Sequence, residues 1–307
     1  MDFNLTNCTL CARQCHTDRS KHRGFCATDG SCHVASICVH KGEEPFLSGE
    51  KGVCNVFFPH CNLACIFCQN KDISSSSYNI ENCSYKSLSE VIDRIEKVLE
   101  TTENVLGFVS PSHYAHLIPT IVDTLHNHGY RPTVVYNTNC YDNVETIKAL
   151  EGYIDIYLPD FKYFSSELSG KYSSCPDYFT KASKAIAEMY NQKSSSLIEA
   201  AADIPASGMI IRHLVLPGCT QDSKNVLSWI ADNISTNIHI SLMSQYFPPQ
   251  GLQLPDQLGR CITQEEYNDV VEHLYEIGFH KGWVQDYNSD KTYKPDFSKT
   301  EAFETNK

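Results

Sequence analysis

Three cysteines, Cys61, Cys65 and Cys68, stand within eight residues in the run His60-Cys61-Asn62-Leu63-Ala64-Cys65-Ile66-Phe67-Cys68-Gln69-Asn70. Thiolates this close can ligate a soft metal centre. A structural zinc site takes four ligands, two of them usually from a distant pair, whereas three clustered thiolates suit a four-iron cluster that leaves one iron open to a small ligand. On spacing alone, a zinc or disulfide loop competes with that reading. A second set, Cys8, Cys11, Cys15 and Cys26, offers four thiolates with Arg13, Arg19, Arg23 and Gly24 between them. Four sulfurs can hold Zn²⁺ tetrahedrally or a second, fully ligated iron–sulfur cluster, and the spacing does not choose between them. Cys32, Cys38, Cys54 or His16 can replace one of the four.

The elements that must position these thiols follow from Val53 onward, where short apolar runs alternate with amphipathic stretches. The pairs are 53–58 with 88–99, 105–109 with 115–126, 133–136 with 144–150, 154–158 with 178–190, 209–216 with 224–234, and 238–242 with 264–277. Such alternation predicts a parallel sheet covered by helices. Ser89 is the expected N-cap of the first helix, and Gly129 and Gly278 are expected helix stops. The three-cysteine loop then follows the first strand, at the carboxyl end where α/β folds place their chemistry. The short stretches 74–77 and 193–196 are serine-rich loops.

The 307 residues contain 15 cysteines and carry a formal net charge of −12. No apolar run approaches the length of a bilayer span, and 1–11 lacks the basic-then-apolar order of a secretory signal, so a cytosolic protein is expected. Cytosolic thiols are kept reduced, which favours metal binding or catalysis over a disulfide framework. The acidic balance argues against nucleic acid and anionic membranes as partners. Ten cysteines lie at or before Cys68; Cys83, Cys140, Cys175, Cys219 and Cys261 are scattered singly and read as small, partly buried residues.

The Cys-x3-Cys-x2-Cys spacing, with the aromatic Phe67 before the last cysteine, resembles the signature of the radical S-adenosylmethionine (SAM) superfamily. That resemblance implies a [4Fe–4S] cluster on Cys61, Cys65 and Cys68 and SAM chelated at its open iron. It extends over nearly the whole chain to a branch similar to pyruvate formate-lyase activating enzyme. The matching stretches include His40-Lys41-Gly42-Glu43-Glu44-Pro45, Ser110-Pro111-Ser112-His113-Tyr114, Val135-Tyr136-Asn137-Thr138, Asp155 through Tyr163, Ile211-Arg212-His213-Leu214 and Leu242-Met243-Ser244-Gln245-Tyr246.

By the same resemblance, Phe67, Ser110, Ser112, His113, Asn137, Asp160, Lys162, Arg212 and Gln245 are the expected cofactor contacts. Asp160 and Lys162 match an Asp-x-Lys of activating enzymes, in which the lysine helps hold the SAM carboxylate. A structural ion-pair network is the competing reading for these two and Arg212, and a satisfied core histidine for His113. Where the superfamily often has a Gly-Gly-Glu-like segment, this chain has 110–113. Glu43 and Glu44 are read as a cover for the pocket, as partners of Lys41, or as a solvated acidic turn.

The expected architecture is α/β: a partial parallel (β/α)6 radical SAM barrel over 51–288, a Cys-rich metal-binding region over 1–50, and a polar tail over 289–307. The chain lacks the long ferredoxin-like insertion of several glycyl-radical activators, so one or at most two clusters are expected. Reductive cleavage of SAM, driven by a reductant such as flavodoxin or ferredoxin, is the expected chemistry, with a glycyl-radical enzyme as the substrate the resemblance implies. The rivals are radical modification of another peptide or a small molecule, and a non-catalytic iron–sulfur electron-transfer or metal-binding protein.

Overall fold

The computed structural model describes residues 3–199, 206–287, 289, 295–299 and 301–303. Their strands are β1 (Ser36–His40), β2 (Val53–Phe57), β3 (Val105–Val109), β4 (Thr133–Thr138), β5 (Ile156–Pro159), β6 (Gly208–Leu214), β7 (His239–Met243) and β8 (Gly282–Val284). They form one sheet in chain order, β1 to β8. Every neighbouring pair is parallel except β1–β2, which is antiparallel. The six expected strands are β2 to β7. The additions are β8 and β1, the latter formed by residues that read from sequence as part of a loop-like head.

Helices fill the connections: α1 (Pro45–Ser48), α2 (Lys71–Ser74), α3 (Leu88–Leu99), α4 (Ile118–Asn127), α5 (Val144–Ala149), α6 (Ser166–Ser173), α7 (Tyr178–Lys193), α8 (Thr220–Asn233) and α9 (Gln264–Glu276). In α3 the apolar residues Val91, Ile92, Ile95, Val98 and Leu99 recur at helical spacing and are buried against the sheet. Its N-cap is Ser87, not Ser89: the Ser87 hydroxyl accepts from the Glu90 amide while the Glu90 carboxylate accepts from the Ser87 amide. That reciprocal pair requires three-residue spacing to the glutamate, which Ser89 lacks. The stops after α4 and α9 are as expected, with Gly129 at φ +92 and Gly278 at φ +96.

All five residues of β2 and of β3 are buried, as expected of parallel strands covered on both faces. Among the described residues no helix is long and apolar enough to cross a membrane. Each of three successive strands is followed within three residues by a non-glycine residue in the left-handed region, His60 after β2 (φ +63), Ser110 after β3 (φ +48) and Cys140 after β4 (φ +65). Such backbone is uncommon outside glycine and persists only where surrounding contacts hold it. Here it turns each chain sharply out of the sheet at one rim.

The tail does not lie apart from the barrel. Glu301 binds Arg94 at 2.6 Å, and Phe303 stacks on His40 with ring centroids 3.9 Å apart. Of the tail expected over 289–307, residues 290–294, 300 and 304–307 lie outside the described residues.

Candidate functional site

The loop leaving β2 is held by backbone and side-chain bonds from distant elements. Asn62 Nδ2 donates to the Tyr141 carbonyl at 2.7 Å, the Ile66 amide to the Tyr172 carbonyl at 2.9 Å, and the His60 amide to the Ile73 carbonyl at 2.7 Å. The sulfurs are bound as well. Cys61 Sγ accepts from Asn139 Nδ2 at 3.3 Å and from the Leu63 amide at 3.4 Å; Cys65 Sγ accepts from Ser173 Oγ at 2.9 Å; Cys68 Sγ lies 3.2 Å from Ser74 Oγ. Donors aimed at sulfur are what tune a metal–thiolate centre.

Burial pushes the Cys65 thiol up to about 11, against the pull of the Lys162 ammonium. Burial, with the neighbouring Cys65, pushes Cys61 up as well. A metal cation bound between these sulfurs would favour the thiolates that burial alone disfavours.

The three cysteines open on a cavity at the barrel's carboxyl rim. Of the expected cofactor contacts, Phe67, Ser110, Asn137, Asp160, Lys162, Arg212 and Gln245 line it with them. Successive strand ends supply these groups, since β3 runs into Ser110, β4 contains Asn137, β5 is followed by Asp160, β6 contains Arg212 and β7 is followed by Gln245. Ser112 and His113 are not brought to the cavity wall. Ser112 Oγ is 3.4 Å from Thr138 Oγ1, and His113 Nε2 is 2.9 Å from the Pro59 carbonyl oxygen; both residues are fully buried.

Beneath the cavity lies an ion network. Lys162 Nζ is 2.7 Å from Asp160 Oδ2, and Arg212 stands 3.2 Å from Glu43, 3.3 Å from Glu44 and 3.7 Å from Asp160. Burial disfavours the charge on Glu43, but Arg212, His40 and Asn55 outweigh it and hold the carboxyl down at about 2. Glu44 is pushed the other way, first by burial and then by Glu43. The acidic pair is therefore neither a solvated turn nor bound to Lys41. Both carboxylates are buried and paired with Arg212 on β6.

Asn55 bridges the network to the sheet, with Nδ2 donating to Glu43 Oε1 at 2.8 Å. It pairs with Gly107 on β3, and a Cβ at Gly107 would land on Asn55 Oδ1. Replacing Gly107 by Ala is thus expected to cost about 1–3 kcal/mol through overpacking, read as a lower urea midpoint; an unchanged midpoint would mean that the Asn55 amide moves aside freely.

Sequence reasoning missed His40, Asn139 and Phe303, which also line the cavity. The polar run Asn137-Thr138-Asn139 at the end of β4 was a usable signal for Asn139. The tail's composition gave none for Phe303.

In the head, Cys8, Cys11 and Cys26 are buried and Cys15 is exposed. Cys15 Sγ and Cys26 Sγ flank Gly24, 3.2 and 3.8 Å from where its Cβ would stand. Cys11 feels the charge of Cys26 and Cys8, and Cys8 that of Cys15, so the four sulfurs are electrostatic neighbours. Among the described residues no three His, Cys, Asp or Glu side chains, those of Cys61, Cys65 and Cys68 included, are gathered tightly enough to hold a single metal ion; a four-iron cluster takes one thiolate on each iron and holds its sulfurs farther apart. The head docks onto the cavity rim: Arg13 Nε donates to the Asn62 carbonyl at 3.0 Å, and the Ala12 amide to the Tyr141 carbonyl at 3.2 Å.

No family model matches the chain. Over 273 residues it is 31% identical to the uncharacterized protein MJ0674 of Methanocaldococcus jannaschii, which covers 87% of this chain and 73% of that protein. Among solved structures, a radical SAM methyltransferase from Sphaerobacter thermophilus superposes with a TM-score of 0.51 at 11% identity, covering 82% of this chain and 70% of that one. At that identity the likeness speaks for the fold alone. Streptococcus suis SuiB bound to S-adenosylmethionine gives a TM-score of 0.48 at 12% identity, covering 74% of this chain and 48% of SuiB. The chain thus spans about half the length of SuiB.

Proposed function

The chain belongs to the family of Methanocaldococcus jannaschii MJ0674 and has the radical SAM fold, and from that premise we propose that it is a radical SAM enzyme. The observation that carries the proposal is the meeting of Cys61, Cys65 and Cys68 with Asp160, Lys162 and Arg212 around one cavity. The donor set fits the cofactor: three sulfurs, each with a polar group beside it, leave a fourth coordination site of a four-iron cluster for a ligand rather than for protein. Bound there, the cluster and SAM supply one-electron cleavage of a carbon–sulfur bond, giving methionine and a 5′-deoxyadenosyl radical.

The chain's own residues bind, orient and exclude. Asp160 and Lys162 present a paired carboxylate and ammonium, matching the zwitterionic methionine end of SAM. Three carboxyl groups, Glu43, Glu44 and Asp160, share the network with two cations, Lys162 and Arg212. Phe67, buried edge-on to Tyr163 and Tyr246, fixes the loop between its last two ligands. Phe303 and Pro295 shield the cavity from water on the side of the tail. The resemblance to activating enzymes extends the proposal to its target, the backbone glycine of a glycyl-radical enzyme, from which the radical takes a hydrogen atom.

The deciding experiment is anaerobic reconstitution with iron and sulfide, followed by addition of SAM under dithionite. The expected result is a SAM-dependent change in the paramagnetic resonance of the reduced cluster and formation of 5′-deoxyadenosine. Neither signal from a protein with a full iron complement would overturn the proposal. A glycyl radical on a co-encoded partner would establish the target.

A further inference from the structure

The head carries four cysteines that the SAM cavity does not use. Between the short turn Leu5–Asn7 and β1 the described residues form no helix or strand, and over 8–30 the buried apolar side chains besides Cys8, Cys11 and Cys26 are Leu10 and Ala12. All four cysteines are free thiols. A segment with so small a core keeps one conformation only where a cross-link or a metal takes the core's place.

The backbone is bent most sharply around the thiols. Cys15 stands between two non-glycine residues in the left-handed region, Gln14 (φ +43) and His16 (φ +55), and Ala27 (φ +56) follows Cys26. Gly24 keeps the space between the Cys15 and Cys26 sulfurs open, since any side chain there would press on Cys15 Sγ. The other ligands that the sequence offers are engaged elsewhere. His16 Nδ1 lies 2.9 Å from Asn7 Oδ1, and Cys38 and Cys54 are built into β1 and β2.

Charge is the independent observation. Arg19 is 1% exposed, and its acceptors are all neutral: the His113 carbonyl at 2.7 Å, the Thr28 hydroxyl at 2.7 Å and the Asp29 carbonyl. Its Nε has no acceptor, nor has the buried Nη2 of Arg13, and neither guanidinium makes an ion pair among the described residues. A buried cation requires an anion close by. Thr28 Oγ1, which accepts from Arg19, lies 3.1 Å from Cys26 Sγ and so links that cation to the sulfur.

We propose that Cys8, Cys11, Cys15 and Cys26 hold a second, fully ligated [4Fe–4S] cluster, with Arg19 as its buried countercharge. Each thiol releases its proton to solvent and binds one iron, and the core with four thiolates carries the net negative charge that the guanidinium groups lack. Zinc fits less well, because no three of these side chains are close enough for a single ion. With four protein ligands no iron is left for SAM, which separates this centre from the one on Cys61, Cys65 and Cys68. Its effect on the cavity is positional. Arg13, between Cys11 and Cys15, holds the Asn62 carbonyl in the three-cysteine loop, and Thr9, between Cys8 and Cys11, accepts from Asn143 Nδ2 at 2.6 Å.

The test is the iron count after anaerobic reconstitution with iron and sulfide in the presence of zinc. Wild type is expected to hold about eight irons per chain, and the triple variant Cys61→Ala, Cys65→Ala, Cys68→Ala about four, with a reduced-cluster paramagnetic resonance that SAM leaves unchanged. Adding Cys15→Ala and Cys26→Ala to the triple variant is expected to remove that iron. Thr28→Val in the triple background, which keeps every ligand, is expected to retain the iron and to lower the cluster's reduction potential, because the hydroxyl stabilises the charge gained at sulfur on reduction. A folded triple variant without iron overturns the proposal, as does iron that survives loss of Cys15 and Cys26. About one zinc per chain in place of iron overturns the choice of cluster, and a potential unmoved by Thr28→Val removes Cys26 from the ligand set. These readings need neither SAM nor turnover, so they stand whether or not wild type forms 5′-deoxyadenosine.

Discussion

Cys65→Ala is expected to yield a folded protein with neither the iron–sulfur absorbance nor the activity of the wild type. The thiol sits in a loop whose backbone is held independently, through Ala64 to Ser173 and Ile66 to Tyr172, so its removal should leave the barrel standing. What it takes away is one of three sulfurs. Loss of a group that merely orients a metal ligand typically costs 10–100-fold, so loss of the ligand itself is expected to cost at least about 10³-fold. Iron content per chain and 5′-deoxyadenosine yield, measured after anaerobic reconstitution alongside circular dichroism, check it. A variant with wild-type iron and measurable turnover would remove Cys65 from the site.

The second large effect concerns Arg212, the guanidinium that faces Glu43, Glu44 and Asp160. Arg212→Leu removes the guanidinium that both buried glutamates face, leaving Glu44 without a cation and Glu43 with His40 and Asn55 alone, which is expected to cost about 3–5 kcal/mol. The pH dependence distinguishes this from simple loss of packing. In wild type the Glu43 carboxyl is held at about 2 against an ordinary 4.5, so it contributes stability above pH 4.5 that is lost as pH falls toward 2. In the variant Glu43 keeps His40 and Asn55, but Glu44, already raised by burial, loses the Arg212 charge that opposed it and rises further, so stability is lost as pH rises. The gap between the two proteins is therefore expected to widen from pH 4.5 to 7 in urea titrations. A gap below about 1 kcal/mol, or one flat with pH, would show that the network is solvated.

What could be read from the sequence was what is local in it. The cysteine loop occupies eight consecutive residues, and the strand ends carrying Asn137, Asp160 and Arg212 follow from apolar periodicity with polar residues at the end of each run. Pairings across the chain could not be read. Arg212 and Glu43 are 169 residues apart, and Ser173 and Cys65 are 108 apart; nothing in either neighbourhood names the partner. Glu43 and Glu44 follow Lys41-Gly42, which suggests a surface turn, and only the tertiary structure, which pairs them with Arg212 on β6, shows them buried. The Ser87 N-cap was legible, because a serine three residues before Glu90 is the capping-box spacing and Ser89 does not have it. The five scattered cysteines divide, with Cys83, Cys140, Cys175 and Cys219 buried and Cys261 exposed.

The strand order, in which each β-strand lies beside the one synthesised before it, carries a consequence for assembly. A growing sheet of this kind can add strands as they leave the ribosome, since each new pairing spans little chain beyond the preceding connection. The cysteines emerge early, but their surroundings do not. Asn139 arrives with the fourth strand, Ser173 after the fifth and Arg212 on the sixth, while the head, already bonded to Asn62 and His113, completes its fastening at Tyr141 and Asp142. Through the first half of synthesis Cys61 and Cys68 meet their partners Leu63, Ser74 and Asn139, but Cys65 still lacks Ser173 and the cavity lacks Lys162 and Arg212. A cluster held by the three sulfurs would therefore find its full set of donors only once more than half of the polypeptide has been made.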